Sequence, residues 1–192
     1  MRVIAGRLKG SLIRTPAGSS VRPTYDRVRE SLFSIIEPHL EGAKVLDLFG
    51  GSGSLGIESL SRGAGRATFV EIDPAVFGVL RDNVERLNLI RHCRLVRGDA
   101  IAFLSRPVTG GPFDVVFVDP PYSSDLAGRA LELLAASGAL ADGGLVVVER
   151  ASADDPVERV GRLELGRSRR YGGTTVDFYR VCGTPADREE ES

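Results

Sequence analysis

Cysteine, histidine and lysine are all scarce in this chain. Its two cysteines, Cys93 and Cys182, lie far apart without metal-type spacing, which argues against a disulfide framework. They read as small buried hydrophobes. The two histidines, His39 and His92, are too isolated for a metal cluster and read as helix-end or surface residues. No metal site is expected. Long apolar runs are missing too: nothing approaches the ~20 residues of a membrane helix. Polar and charged residues interrupt MRVIAGRLKG, so no signal-peptide core is expected there. The expectation is a cytoplasmic protein and a monomer. Neither an internal repeat nor a low-complexity linker is visible, and the length suits one domain with its own core.

The net charge of -1 would argue against a nucleic-acid partner if the charge were evenly spread. It is not. Between Met1 and Arg29 stand Arg2, Arg7, Lys9, Arg14, Arg22, Arg27 and Arg29, against the single acid Asp26. The far end, ADREEES, is acidic and reads as a frayed tail over 184–192. Lys9 and Lys44 are the only lysines, so arginine carries the positive charge, and arginine is the better planar binder of phosphates and bases.

The chain opens with RVIAGRLKGSLIRTP, apolar and polar residues alternating around two glycines, which predicts a short β-hairpin. A helix follows in RPTYDRVRESLFSIIEP, with Thr24 as its expected N-cap and Asp26 in the first turn. Val28, Leu32, Ile35 and Ile36 recur at helical spacing, and Pro38 helps end the run. From Ala43 strands alternate with helices: AKVLDLF, RATFVEI, CRLVRGD, FDVVFVDPPY and GGLVVVERA read as strands, with helical patterns between them. GRLELGRSRRYGGTTVDFYRV reads as two strands joined around YGG. The pattern predicts an α/β fold, a mostly parallel sheet covered on both faces.

In an open α/β sheet, ligands bind outside the carboxyl ends of the strands. The residues just after the apolar runs are therefore the informative ones. They are Asp47 with the turn GGSGSLG, then Glu71 and Asp73, then Asp99, then Asp119-Pro120-Pro121-Tyr122. Helix capping explains one or two such acids, Asp73 beside Pro74 among them. Gly51, Gly53 and Gly56 match G-x-G-x-x-G, the dinucleotide fingerprint. Yet a pyrophosphate on that turn dislikes a carboxylate at the strand end, where Asp47 stands. A cationic group suits the place better, and S-adenosylmethionine carries an ammonium and a sulfonium but no phosphate. Glu71 stands about twenty residues on, where an acid binds ribose hydroxyls in either cofactor. Asp99 suits the adenine amino group.

DLFGGSGSLGIESLSRGA, FVEID, GDA and DPPY, in that order and spacing, resemble the class I S-adenosylmethionine-dependent methyltransferases. With RPTYDRVRESLF ahead of them, the chain resembles the RsmD family, bacterial small-subunit ribosomal RNA guanine-N2 methyltransferases, over nearly its whole length. The resemblance implies a Rossmann-like sheet of seven strands, one antiparallel, with an N-terminal β-hairpin extension. It implies an RNA-facing arm over 1–24 and a methyltransferase domain over 25–183. The cofactor S-adenosylmethionine would be held by Asp47, Phe49, Gly51, Ser52, Gly53, Glu71, Ile72, Asp99 and Ala100. Gly51 departs mildly from the family, which more often has alanine there.

Asp119, Pro120, Pro121 and Tyr122 are the catalytic candidates. Asp119 and the Pro120 carbonyl both accept hydrogen bonds, which would fix an amino nitrogen with its lone pair aimed at the methyl. The Pro-Pro turn is rigid, and Tyr122 would stack on an extruded base. DPPY also reads as a plain β-to-α turn with a helix cap. The small-subunit ribosomal RNA, free or in a partly assembled particle, would be met by Arg7, Lys9, Arg14, Arg22, Arg27 and Arg170, the last of these lying with Arg167 and Arg169 near Tyr171 in a second basic patch on the last hairpin. The arm's arginines also suit a solvated hairpin edge. Three alternatives stay open: a DNA or protein amino-methyltransferase using the same DPPY, an NAD-dependent oxidoreductase, and a cofactor-binding module without catalysis.

Overall fold

The computed structural model describes residues 1–16, 23–121 and 124–182, and for 23–25 the backbone only. Five strands alternate with helices: β1 (Lys44–Asp47), β2 (Arg66–Glu71), β3 (Cys93–Arg97), β4 (Phe113–Val118) and β5 (Leu140–Ala151). They pair in parallel in the order β3-β2-β1-β4-β5. The apolar runs of β1, β2, β4 and β5 are short and continuous, as strands buried on both faces require, whereas β3 (CRLVR) lies at the sheet edge and has no fully buried residue. Beyond β5 the sheet continues with β8 (Thr174–Val181), β7 (Leu163–Tyr171) and β6 (Arg159–Val160), each step antiparallel. β8 and β6 thus run against the rest. The described sheet has eight strands, one more than the seven expected. The extra strand is β6, whose two residues are too few to show a period in sequence.

Helices α1 (Pro23–Ile36), α2 (Ser54–Ser61) and α3 (Pro74–Arg86) cover one face, and α4 (Ala100–Leu104) and α5 (Leu126–Ala136) the other. Alternation along the strands feeds two cores. Val45, Phe69, Phe117, Val147 and Val176 pack with α1, α2 and α3, while Leu46, Val70, Val118, Val148 and Tyr179 pack with α4 and α5. α1 begins at Pro23, so Thr24 lies inside the helix and not at its cap. Proline suits a first helical position because its missing N–H has no partner there anyway. Asp73 does cap α3, accepting from Ala75 N at 2.8 Å and Val76 N at 3.0 Å.

The N-terminal hairpin is reduced to one bridge, Arg2 to Leu12, flanked by Val3 N to Ser11 O (3.0 Å) and Ile13 N to Met1 O (2.9 Å). It is sewn onto α2 and α3. Glu58, fully buried, accepts from Ile4 N at 2.8 Å, Ala5 N at 3.0 Å and Arg62 Nε at 2.8 Å. Asn83 exchanges bonds with the Arg14 backbone at 2.9 and 2.8 Å. Val3 and Ile13 sit in the α1–α3 core. Cys93 and Cys182 are half-buried, and burial pushes the Cys93 thiol up to about 12. No helix among the described residues is long and apolar enough to cross a membrane.

Candidate active site

The parallel register sets four acids on one edge and one face. Asp47 ends β1 opposite Phe69 and Phe117, and Glu71 ends β2. Asp119 follows β4, and Glu149 lies near the end of β5, opposite Val176. Each is two residues beyond an apolar residue of the α1–α3 core: Val45, Phe69, Phe117 and Val147. The pleat therefore turns all four carboxyls to the α1–α3 side, at the carboxyl ends of the parallel strands.

The glycine turn sits against this row. Gly51 donates its N–H to Glu71 Oε2 at 2.9 Å, and Asp73 N donates to Oε1 at 2.8 Å. Gly53 caps α2 with φ +85°, and a Cβ there would lie 2.6 Å from Leu80 Cδ1. At Gly56 a Cβ would meet the Phe69 ring at 2.3 Å, so this glycine is what lets α2 lie close on β2. Gly51 has more room: its Cβ would meet only Phe49 O, at 3.8 Å. Gly56 N–H donates to Asp47 Oδ2 at 3.3 Å. The electropositive start of α2, which would receive a phosphate in a dinucleotide enzyme, already faces a carboxylate of the protein.

Negative charge is concentrated here. Asp47, 2% exposed, has its carboxyl pushed up to about 7, first by burial and then by the charge of Glu71, against the bonds from Gly56 and Phe49. Burial also holds Asp119 well above the usual carboxylate range, with Glu149 and Asp47 adding to it. Among the described residues neither Asp47, Glu71 nor Asp119 forms an ion pair. Such an arrangement favours a ligand bearing positive charge. Both oxygens of Glu71 keep a further lone pair for ribose hydroxyls.

The remaining expected cofactor residues flank the row. Phe49 and Ser52 are half-buried, and Ser52 O accepts from Asn83 Nδ2 at 2.9 Å. Ile72 is 64% exposed, an apolar side chain beside Glu71 and available to a flat ring. Asp99 caps α4 by accepting from Ala102 N at 2.7 Å, with Ala100 buried behind it. In the Pro-Pro turn the Pro121 carbonyl accepts from Ser124 Oγ at 2.8 Å, while that of Pro120 accepts no bond among the described residues. Tyr122 and Arg22 lie outside the described residues.

The basic residues do not form one patch. Arg7 donates its backbone N–H to Ser61 O at the last turn of α2, so Arg7 and Lys9 sit at the opposite end of that helix from the glycine turn. Arg14 pairs with Asp82 at 2.6 Å. Arg29 is buried, bonded to Met1 Sδ, Arg2 O and Asp26, and does not belong to the exposed basic surface. Arg27 is exposed on α1, one turn before Ser31, whose hydroxyl meets Tyr171 OH at 2.5 Å. Register sets Arg169 opposite Val176, on the face of the acids, and Arg170 opposite Thr175 on the other face. Sequence reasoning overlooked Glu149, although it follows the apolar run GGLVVV just as the other acids follow theirs. Glu58 and Asn83 left no such signal, because a polar residue within a helix reads as solvent-facing.

The strand order, the antiparallel β8 beside β5, and the acids at the strand ends define a class I methyltransferase fold. The model of the family described as Conserved hypothetical protein 95 matches residues 1–180, and the chain belongs to that family. It is 42% identical to ribosomal RNA small subunit methyltransferase D of Escherichia coli K12 over 149 residues, 78% of this chain and 74% of that one. It is 39% identical to YlbH of Bacillus subtilis over 186 residues, 95% and 100% of the two chains. The solved structure of Escherichia coli yhhF matches with a TM-score of 0.86 at 37% identity, over 96% of this chain and 99% of that one.

Proposed function

We propose that the protein transfers a methyl group from S-adenosylmethionine to the exocyclic N2 amino group of a guanine in small-subunit ribosomal RNA. The observation that carries this is the set of Asp47, Glu71 and Asp119, which among the described residues form no ion pair and lie between the glycine turn and the Pro-Pro turn. The relatives named as small-subunit RNA methyltransferases support the substrate class. Asp47 offers its charge to the ammonium, Glu71 its lone pairs to the ribose, and Ile72 and Asp99 an apolar face and an acceptor to adenine. The bound cofactor supplies a methyl on a sulfonium: the carbon–sulfur bond breaks, a carbon–nitrogen bond forms, and a neutral thioether leaves.

Asp119 and the Pro120 carbonyl accept the two amino hydrogens and so direct the nitrogen lone pair away from the ring. As positive charge grows on nitrogen, the Asp119 carboxylate stabilises it and takes the departing proton, which then passes to water. The raised affinity of Asp119 for a proton suits that step. Tyr122 stacks on the extruded base. Arg27 and Arg169, with Arg14, Arg22 and Arg170, contact phosphates, and Arg7 and Lys9 reach RNA further off. In this reading the enzyme works in the cytoplasm as a monomer, on RNA free or within a partly assembled particle.

The test is transfer of labelled methyl to small-subunit RNA, free and protein-bound, followed by nucleoside analysis. Label in N2-methylguanosine is expected. Label in another nucleoside or in protein, or none in either RNA form, overturns the proposal.

A further inference from the structure

Glu149 has no part in the chemistry above, yet it shares the row with Asp119. Val118 pairs with Val148, so the next residue of each chain, Asp119 and Glu149, stands level on neighbouring strands. Both belong to the alternation of Phe117 and Val147, and Glu149 lies opposite Val176 of the same core. The separation of adjacent strands is about 4.8 Å, within reach of a glutamate side chain. The mutual influence of the two charges agrees with that placement.

Bases that carry an exocyclic amino group differ in what stands beside it. In guanine the neighbour of N2 on the Watson–Crick edge is N1–H, a donor. In adenine and cytosine the corresponding ring nitrogen is an acceptor with a lone pair. A carboxylate is acceptor-only when ionised, so it bonds the first and repels the second. Resting on the function proposed above, we infer that Glu149 accepts the N1–H of the target guanine while Asp119 holds the N2 amino group, and that this second carboxylate selects guanine. Once the bound base covers it, an acceptor left facing a lone pair loses its bond and keeps its desolvation cost, which makes such selection strong.

The experiment uses small-subunit ribosomal RNA with either guanine or 2-aminopurine ligated into the methylated position, free and protein-bound. 2-Aminopurine keeps the amino group but has a bare N1. Wild type is expected to prefer guanine by about 100-fold or more in kcat/KM. 2-Aminopurine also lacks the guanine carbonyl, so the comparison that decides is between proteins. In Glu149→Gln the amide donates to the bare N1, and the preference narrows by at least about tenfold. Glu149→Ala, with neither donor nor acceptor, also narrows it. Affinity for S-adenosylmethionine is expected to stay at the wild-type level in both variants, which reports an intact fold. An unchanged guanine preference in either folded variant overturns the inference. A wild type inactive on the guanine RNA itself overturns the underlying function instead.

Discussion

Gly51 and Glu71 are joined by a 2.9 Å hydrogen bond from the glycine N–H to Oε2, which ties the turn after β1 to the acid that ends β2. The same carboxylate receives Asp73 N, so the side chain that shapes the turn is also the one proposed to hold the ribose. Glu71→Ala is expected to weaken S-adenosylmethionine and S-adenosylhomocysteine alike, by about 10- to 100-fold, as loss of a charged acceptor implies. Isothermal titration reads this directly. An unaltered affinity would remove Glu71 from the cofactor site.

Asp47 predicts a pH dependence with two opposite signs. Its carboxyl titrates at about 7 in the folded protein, against an ordinary 3.8. Between those values the folded state holds a proton that the unfolded chain has lost. Unfolding then releases it, so stability of the ligand-free protein falls as pH rises through that window, by up to about 4 kcal/mol from this group. Cofactor affinity moves the other way, rising towards and beyond pH 7 as the carboxylate ionises. Asp47→Asn is expected to raise the ligand-free melting temperature at pH 8, to flatten the fall, and to lose cofactor affinity. The raised group on Asp119 leaves a residual slope of the same sign. A variant less stable than wild type at pH 8 would contradict the account.

Glu58 predicts a purely structural effect. It is fully buried, and it holds Ile4 N, Ala5 N and Arg62. Removing one partner of a buried pair strands the other, so Glu58→Ala is expected to destabilise by about 3–5 kcal/mol. Thermal unfolding measures this, and proteolysis before Arg14 should quicken as the arm detaches. A loss under about 1 kcal/mol would mean that the arm is held elsewhere.

Gly56 predicts a packing effect. Gly56→Ala would set a methyl 2.3 Å from the Phe69 ring, so α2 must lift from β2 or the ring must turn. The expected cost is about 1–3 kcal/mol, accompanied by weaker cofactor binding because Gly56 N–H also meets Asp47. Wild-type stability and affinity together would show that the contact yields without cost.

Much of this was legible in the sequence for physical reasons. Short apolar runs broken by glycine, proline or an acid dictate β1 to β5, and the acid after each run marks the ligand edge. Glu149 obeys the same rule and was there to be read. What the sequence concealed depends on partners remote in the chain. Arg29 looks like part of a basic surface until Met1 and Arg2 close over it, and Glu58 looks solvated until Ile4 and Ala5 bond to it. The facing of Arg169 and Arg170 depends on a register shift between Leu165 and Arg167, which no local pattern announces.

The central claim is a division of labour: Asp47 and Glu71 hold the methyl donor, and Asp119 acts on the acceptor nitrogen. Its most direct test is one variant measured twice. Asp119→Ala should bind S-adenosylmethionine within about threefold of wild type, since in this account Asp47 and Glu71, not Asp119, hold the donor. The same protein should transfer no detectable methyl to small-subunit RNA. Full methyl transfer by that variant would contradict the account.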